Sequence, residues 1–126
     1  RQYHTNLAAH LLGYTGLMTA EEYTTYKTQG YPIRICELLA TLDGPEYIER
    51  VAVNNVKNVK NAKKAILKAF KNQVEGKGFS LIEVVSSCPT NWGMTPTAAL
   101  EWVENKMLPY YPLGVYKDRS AESKEG

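Results

Sequence analysis

Cysteine is scarce in this chain of 126 residues: there are two, Cys36 and Cys88, far apart in sequence. That excludes a disulfide framework, and it excludes a complete thiolate metal set drawn from this chain alone. A reduced compartment, the cytoplasm, is the expected setting. Histidine is equally sparse. His4 and His10 lie near the start, and nothing in their spacing ties them to Cys88, so a cysteine nucleophile with a histidine base is not supported. No apolar run approaches the roughly 20 residues that span a bilayer, and no secretory signal is visible, so no membrane partner is expected. Neither charge sign dominates: 15 Lys and Arg face 13 Asp and Glu, and a net charge of +2 names no partner. Repeats and low-complexity blocks are absent. The chain opens on Arg1 rather than Met, and the expectation is of residues lost ahead of it.

What is present is an ordinary soluble balance, 44% hydrophobic and 22% charged, enough for one domain or a piece of one. Within residues 1–30, Thr5 or Asn6 can cap a short helix ending at Gly13. Thr19 with Glu22 resembles a capping box for a helix that Gly30 closes. In "YPIRICELLATLDG", Pro32 suits a first helical turn, and Ile35, Leu38, Leu39 and Leu42 form one apolar stripe before Gly44-Pro45 ends the helix.

Residues 48–53 read as a short strand leading to Asn54-Asn55. A helix follows from about Val56 to Val74. Val59, Ala62, Ile66, Ala69 and Phe70 predict its buried face, so Phe70→Asp is expected to be severely destabilising. Lys57, Lys60, Lys64, Lys68 and Lys71 lie opposite. Residues 79–85 are apolar except for Ser80 and Glu83, the pattern of a strand buried on both sides in a parallel sheet. Strand, helix and strand make a βαβ unit, with the two strands parallel and adjacent.

After "SSCPTNWG" at residues 86–93, Thr95 caps a helix with Pro96 at its first position. Leu100, Val103 and Met107 form its inward stripe. Pro109 and Pro112 are expected to break it, leaving "PYYPLGVY" extended over the core. The polar tail from Lys117 onward is expected to fray.

The cysteine in "SSCPTNWG" follows the carboxyl end of a predicted parallel strand, the edge where open α/β sheets place ligands. Taken by residue type alone, Cys88 is a small packing residue, and Trp92 packs the loop onto the sheet. The lysine face is a solvated helix surface. Without a groove-reading motif or interleaved aromatics and arginines, no nucleic-acid partner is expected.

The runs "GYPIRICELLATLDGPEYIERVAV", "AKKAILKAF" and "EGKGFSLIEVVSSCPTNWGMTPTAALEWVENKMLPYYPLGVYKD" resemble the C-terminal part of the thiamine-diphosphate-binding beta subunit of 2-oxoacid:ferredoxin oxidoreductases. The similarity is greatest to the branch acting on 2-oxoglutarate or branched-chain 2-oxoacids, and it covers about residues 30–118. It implies an α/β chain: a partial parallel-sheet half of a thiamine-diphosphate-binding fold, with a C-terminal helix and an extended Pro/Tyr tail. Residues 31–118 would form that domain, 1–30 a divergent segment of unknown role, and 119–126 a disordered tail.

The resemblance implies oxidative decarboxylation of a 2-oxoacid to an acyl-CoA, with ferredoxin reduced, in the cytoplasm of an anaerobic metabolism. It implies thiamine diphosphate, Mg and a 4Fe-4S cluster in the intact enzyme. Alpha and other subunits, ferredoxin, coenzyme A and the 2-oxoacid are its implied partners. Cys88 matches the position of a fourth cluster ligand whose partners lie outside this chain, while Cys36 matches no ligand position. The lysine face could then meet an acidic ferredoxin or coenzyme A phosphates.

The sequence also departs from the family pattern. It contains no Gly-Asp-Gly diphosphate and magnesium motif. "RQYHTNLAAHLLGYTGLMTAEEYTTYKTQ" stands where a Thr-Gly-Gly-Gln-Met loop is expected. The chain alone is therefore expected to bind none of these cofactors and to be an inactive fragment. The alternative is a free-standing, non-catalytic interaction domain derived from the same fold.

Overall fold

The computed structural model describes residues 33–122. Its elements are α1 (Ile35–Ala40), β1 (Pro45–Ala52), α2 (Val56–Val74), β2 (Phe79–Val85), α3 (Pro89–Trp92), α4 (Pro96–Trp102), a π-helical turn (Val103–Met107), α5 (Leu108–Tyr110), β3 (Gly114–Asp118) and α6 (Arg119–Glu122). Both helices expected within 1–30, and Pro32, lie outside the described residues.

The sheet has three strands in the order β2-β1-β3. β1 and β2 run parallel from Pro45↔Phe79 to Ala52↔Val85 and are joined by α2, so the expected βαβ unit is present. β3 adds an antiparallel strand on the other side of β1, with an irregularity between Ile48 and Glu49. The sheet is therefore mixed. The segment expected to lie extended over the core is in part a sheet strand, because Gly114–Asp118 finds the open edge of β1. The tail expected to fray from Lys117 is ordered through Glu122, as the end of β3 and one helical turn.

Burial follows strand position. β1 is central and buried along nearly its whole length. β2 is an edge strand and half-exposed, with only Val85 buried, so its apolar run does not mark burial on both sides. Tyr47 and Val51 face α2, while Arg50 and Ala52 face α1 and the α3–α4 layer. The core is accordingly split. Val51, Ala62, Ala65 and Ile82 lie under α2; Ala52, Val85, Trp92, Ala99 and Val103 lie on the opposite face.

α2 is placed by small residues and one anchored charge. Asn55 caps it, its Oδ1 accepting from Asn58 N at 2.9 Å. Ala62 and Ala65 let the helix approach the sheet closely. One turn on, Lys68 pairs with Asp118 of β3 and lies 4.3 Å from the centroid of the Tyr47 ring. Asn72, not Phe70, is the buried residue near the end. The expected inward stripe is thereby rotated. Val59 and Ile66 are partly exposed and Phe70 is 67% exposed. Area alone favours burying Phe70, but the sheet surface beneath this half of α2 is polar, and Lys68 holds the helix with its alanine edge inward.

α1 shows the same effect. Leu38 and Leu42 are exposed, and the short Cys36 side chain is the fully buried one.

The carboxyl half of the chain is largely as expected. Thr95 caps α4, accepting from Ala98 N at 3.3 Å, and Pro96 occupies the first turn. Val103 is fully buried, Met107 is partly buried and Leu100 is 38% exposed. Pro109 does not break the helix. The wider π turn precedes it, and helical bonding continues to Tyr111, whose N–H donates to the Met107 carbonyl at 2.8 Å.

The rotated face gives a direct test. Ala62→Asp, which places a charge against Val51 and Ile82, is expected to destabilise the fold by about 3 kcal/mol or more. Phe70→Asp, contrary to the expectation from periodicity, should stay within about 0.5 kcal/mol. Urea melts of the two variants beside the unaltered chain measure both.

Candidate functional site

Two places concentrate polar chemistry. The first is the carboxyl edge of the parallel pair. Beyond Ala52 the chain turns through Asn54 and Asn55. The Asn54 amide donates to the Glu104 carboxylate on the π turn, and its oxygen accepts from Asn58 Nδ2 at 2.7 Å. The β1–α2 loop is thus clasped to the helical layer on the other face. Beyond Val85 the chain runs through Ser86 and Ser87 to Cys88.

Cys88 precedes α3. Its carbonyl accepts from Trp92 N at 3.0 Å, and Gly93 ends α3 in the left-handed region, φ 63°. Trp92 is buried against Ala52, Val85, Ala99 and Val103, so it does pack the loop onto the sheet. Cys88 is exposed and free, which overturns the packing expectation based on its residue type.

The second place is Arg50, in the middle of β1 and 1% exposed. Its guanidinium makes a bidentate pair with Glu37 of α1, Nη2 to Oε2 at 2.5 Å and Nη1 to Oε1 at 3.0 Å. Nε donates to Glu83 Oε2 of β2 at 2.8 Å. Nη1 also reaches the Pro112 carbonyl at 3.2 Å and the Tyr116 hydroxyl at 2.7 Å. The rings of Tyr111 and Tyr116 lie 5.2 and 4.9 Å from the guanidinium carbon. Beside this group Arg34 sits over Tyr110 at 4.4 Å, and Tyr110 meets Tyr111 edge-on.

Burial works against the Arg50 charge, but the bonds to Glu37 and Glu83 outweigh it and raise its pKa. The same Arg50 bond holds the Glu37 carboxyl below its ordinary range. Burial, then the hydrogen bond to Glu83, pushes the Cys36 thiol far up, so it stays protonated.

Arg50 was missed in the sequence because "IERVAV" carries two adjacent charges, Glu49 and Arg50, on opposite faces of the strand, and nothing local says which face is buried. The available signal was a charged residue inside a strand whose neighbours demanded burial, since a charge there has to be paired.

These two places do not assemble a metal centre. Among the described residues, no three His, Cys, Asp or Glu side chains converge. Cys88 is exposed on the α3 loop, whereas Cys36 is buried beside Arg50 and Glu83. Four thiolates are the ordinary requirement of a 4Fe-4S cluster, and the described residues do not fit one. Nor do they fit a diphosphate–magnesium site, for Asp43-Gly44 exits α1 and Asn54-Asn55 serves the α2 cap. A hollow of about 510 Å³ along α2 is lined by Val56, Lys57, Lys60, Asn61, Lys63 and Lys64. One helix alone lines it, so it is surface relief and no enclosing cleft.

The chain is 39% identical over 94 residues to ketoisovalerate oxidoreductase subunit VorA of Methanothermobacter thermautotrophicus, and 38% identical over 94 residues to the protein of that name from Methanothermobacter marburgensis. This stretch is homologous to an oxidoreductase subunit. It makes up 75% of the present chain and 20% of each relative, so the chain spans about a fifth of the length of the curated proteins it matches. No family model and no solved structure matches it.

Two outcomes test this geometry. Cys88 should react with a thiol reagent such as 5,5′-dithiobis(2-nitrobenzoic acid) in the folded protein at pH 8, and Cys36 only after denaturant is added; counting thiols released before and after checks this. For pH, the lowered Glu37 pKa means that the unfolded chain takes up the proton first as pH falls. Its stabilising contribution is full above its ordinary value of 4.5 and is lost as pH drops through the lowered folded value. Thermal melts from pH 7 to 3 should show an acid limb that Glu37→Gln makes shallower.

Proposed function

We propose that the chain is the C-terminal part of a thiamine-diphosphate-binding beta subunit of a 2-oxoacid:ferredoxin oxidoreductase acting on a branched-chain 2-oxoacid. The observation that carries this reading is the 39% identity to subunits named for ketoisovalerate, itself a branched-chain 2-oxoacid. Its role in that enzyme is structural and electrostatic. It supplies the carboxyl edge of a parallel strand pair, held by the Asn54–Glu104 clasp and backed by Trp92, with one exposed thiol at the strand exit. Thiamine diphosphate, when held by the rest of such an enzyme, supplies the electron sink for decarboxylation. Residues of this chain position the neighbouring loop.

Cys88 suits one role in that assembly. Pro89 restricts the residue before it to extended backbone, and Cys88 has φ −130°. Ser86 and Ser87 are small, so another backbone can approach the thiol. Cys88 is one of four thiolates, the other three coming from sequence outside this chain. Partner subunits complete the enzyme, and the 126-residue chain does not turn over 2-oxoacids by itself.

The experiment is anaerobic reconstitution of a full-length subunit carrying this stretch, with and without Cys88→Ala. The unaltered protein is expected to couple 3-methyl-2-oxobutanoate and coenzyme A to reduction of a viologen dye. The variant should lose iron and the spin-resonance signal of the reduced cluster, while the melting temperature of residues 33–122 is unchanged. Full iron content in the variant would remove Cys88 from the ligand set. Absence of 2-oxoacid oxidation by the unaltered, iron-replete protein would remove the enzymatic assignment.

A further inference from the structure

α2 carries two surfaces that the described residues leave uncovered. Its sheet-facing edge is Ala62, Ala65 and Asn72. Away from that edge, Val56, Val59, Ile66, Leu67, Phe70 and Val74 span about 100° of arc. Val56, Leu67, Phe70 and Val74 are each at least two-thirds exposed. Such a stripe costs free energy in water unless something covers it.

Beside it runs a cationic row. The nineteen residues of α2 contain six lysines and no acid. Lys68 is committed to Asp118 and Lys71 to Glu75, whereas Lys57, Lys60, Lys63 and Lys64 make no ion pair among the described residues. An all-cationic helix next to an uncovered apolar stripe is complementary to one kind of surface.

We propose that this outer face of α2 docks an acidic protein partner, one with an apolar ridge bordered by aspartate and glutamate side chains. Charge selects among the alternatives. A second copy would bring the same six lysines and a net charge of +2, a like-charge contact that costs affinity. A bilayer is disfavoured by Lys63. At 100° per residue it falls in the middle of the apolar stripe, between Phe70 and Val56, where an ammonium group would have to be carried into acyl chains. Against a protein, a single carboxylate meets it. The apolar ridge gives affinity, and the lysines give orientation and encounter rate. This inference rests on α2 alone and does not depend on the oxidoreductase assignment.

The test is zero-length carbodiimide coupling, which joins a lysine only to a carboxylate already touching it. The chain, tagged and expressed in its own cells, is isolated with what it assembles with, coupled, and mapped by mass spectrometry. The expected result is Lys57, Lys60, Lys63 or Lys64 joined to aspartate or glutamate of a different polypeptide. The double variant Leu67→Ser, Phe70→Ser should lower that yield about tenfold, as loss of an interface anchor does, without lowering the melting temperature, because both side chains are exposed. Lys60→Glu with Lys64→Glu should lower the yield at Lys57 and Lys63 as well and weaken its salt dependence.

Coupling to Glu21 or Glu22 of the same chain would overturn the proposal, as would coupling between copies in an isotope-mixed sample. Protection of these lysines from acetylation by phosphatidylglycerol vesicles in place of a protein would overturn it too. If oxidoreductase subunits co-purify while the α2 lysines stay uncoupled and freely acetylated, the docking surface fails and the assignment of the chain stands.

Discussion

A buried guanidinium organises the described part of this protein. Arg50 sits in the central strand with almost no contact with water, and a charge there is tolerated only if every direction it points is answered. The answers come from four separate places: Glu37 on α1, Glu83 on β2, Tyr116 on β3 and the carbonyl of Pro112 before β3. Only α1 is joined to β1 by a short connection; the other partners lie 33 to 66 positions away. Each is drawn there because an unpaired buried charge would cost several kcal/mol. The antiparallel strand β3, invisible to periodicity, is the clearest consequence. Its side chains are no more apolar than those of a loop, yet its Tyr116 hydroxyl, with the Pro112 carbonyl just before it, completes the shell of Arg50.

The same constraint explains the inert cysteine. Cys36 lies where the Arg50 network meets α1, and the adjoining carboxylate of Glu83 together with burial keeps its thiol protonated. Cys88 meets the opposite conditions. It stands at the strand exit, exposed, before a proline, with the aromatic bulk of Trp92 turned inward beneath the loop. Two cysteines of one chain thus differ in chemistry because one is walled in by an ion network and the other is presented by a tightly packed turn.

Function rests on what surrounds this framework. The homologous proteins are about five times as long as the matched stretch, and α2 carries an exposed apolar stripe. Within the described residues the carboxyl edge of the parallel strand pair is held to the helical layer by Asn54, through Glu104 and Asn58.

What the sequence determined by itself was local. The β1–α2–β2 unit followed from a helical period succeeded by an apolar run, and the start of α4 from Thr95 as its cap. These depend on neighbours a few positions apart, and the chain carries that information directly. The loop "SSCPTNWG" and its place at a strand exit were legible for the same reason.

Tertiary structure decided which side faces inward and which groups meet. The apolar stripe of α2 predicted Phe70 as core, but the sheet beneath is polar at that point and Lys68 fastens to Asp118, so Ala62 and Ala65 make the contact. The run in β2 predicted burial on both sides, but the strand is an edge. Pro109 predicted a break, but a π turn absorbed it. Arg50, the residue on which the arrangement turns, showed locally only that a charge stood among strand residues, not what it meets. The value of a buried charge is set by partners 13 to 66 positions away, and no pattern along the chain records where those partners come to rest.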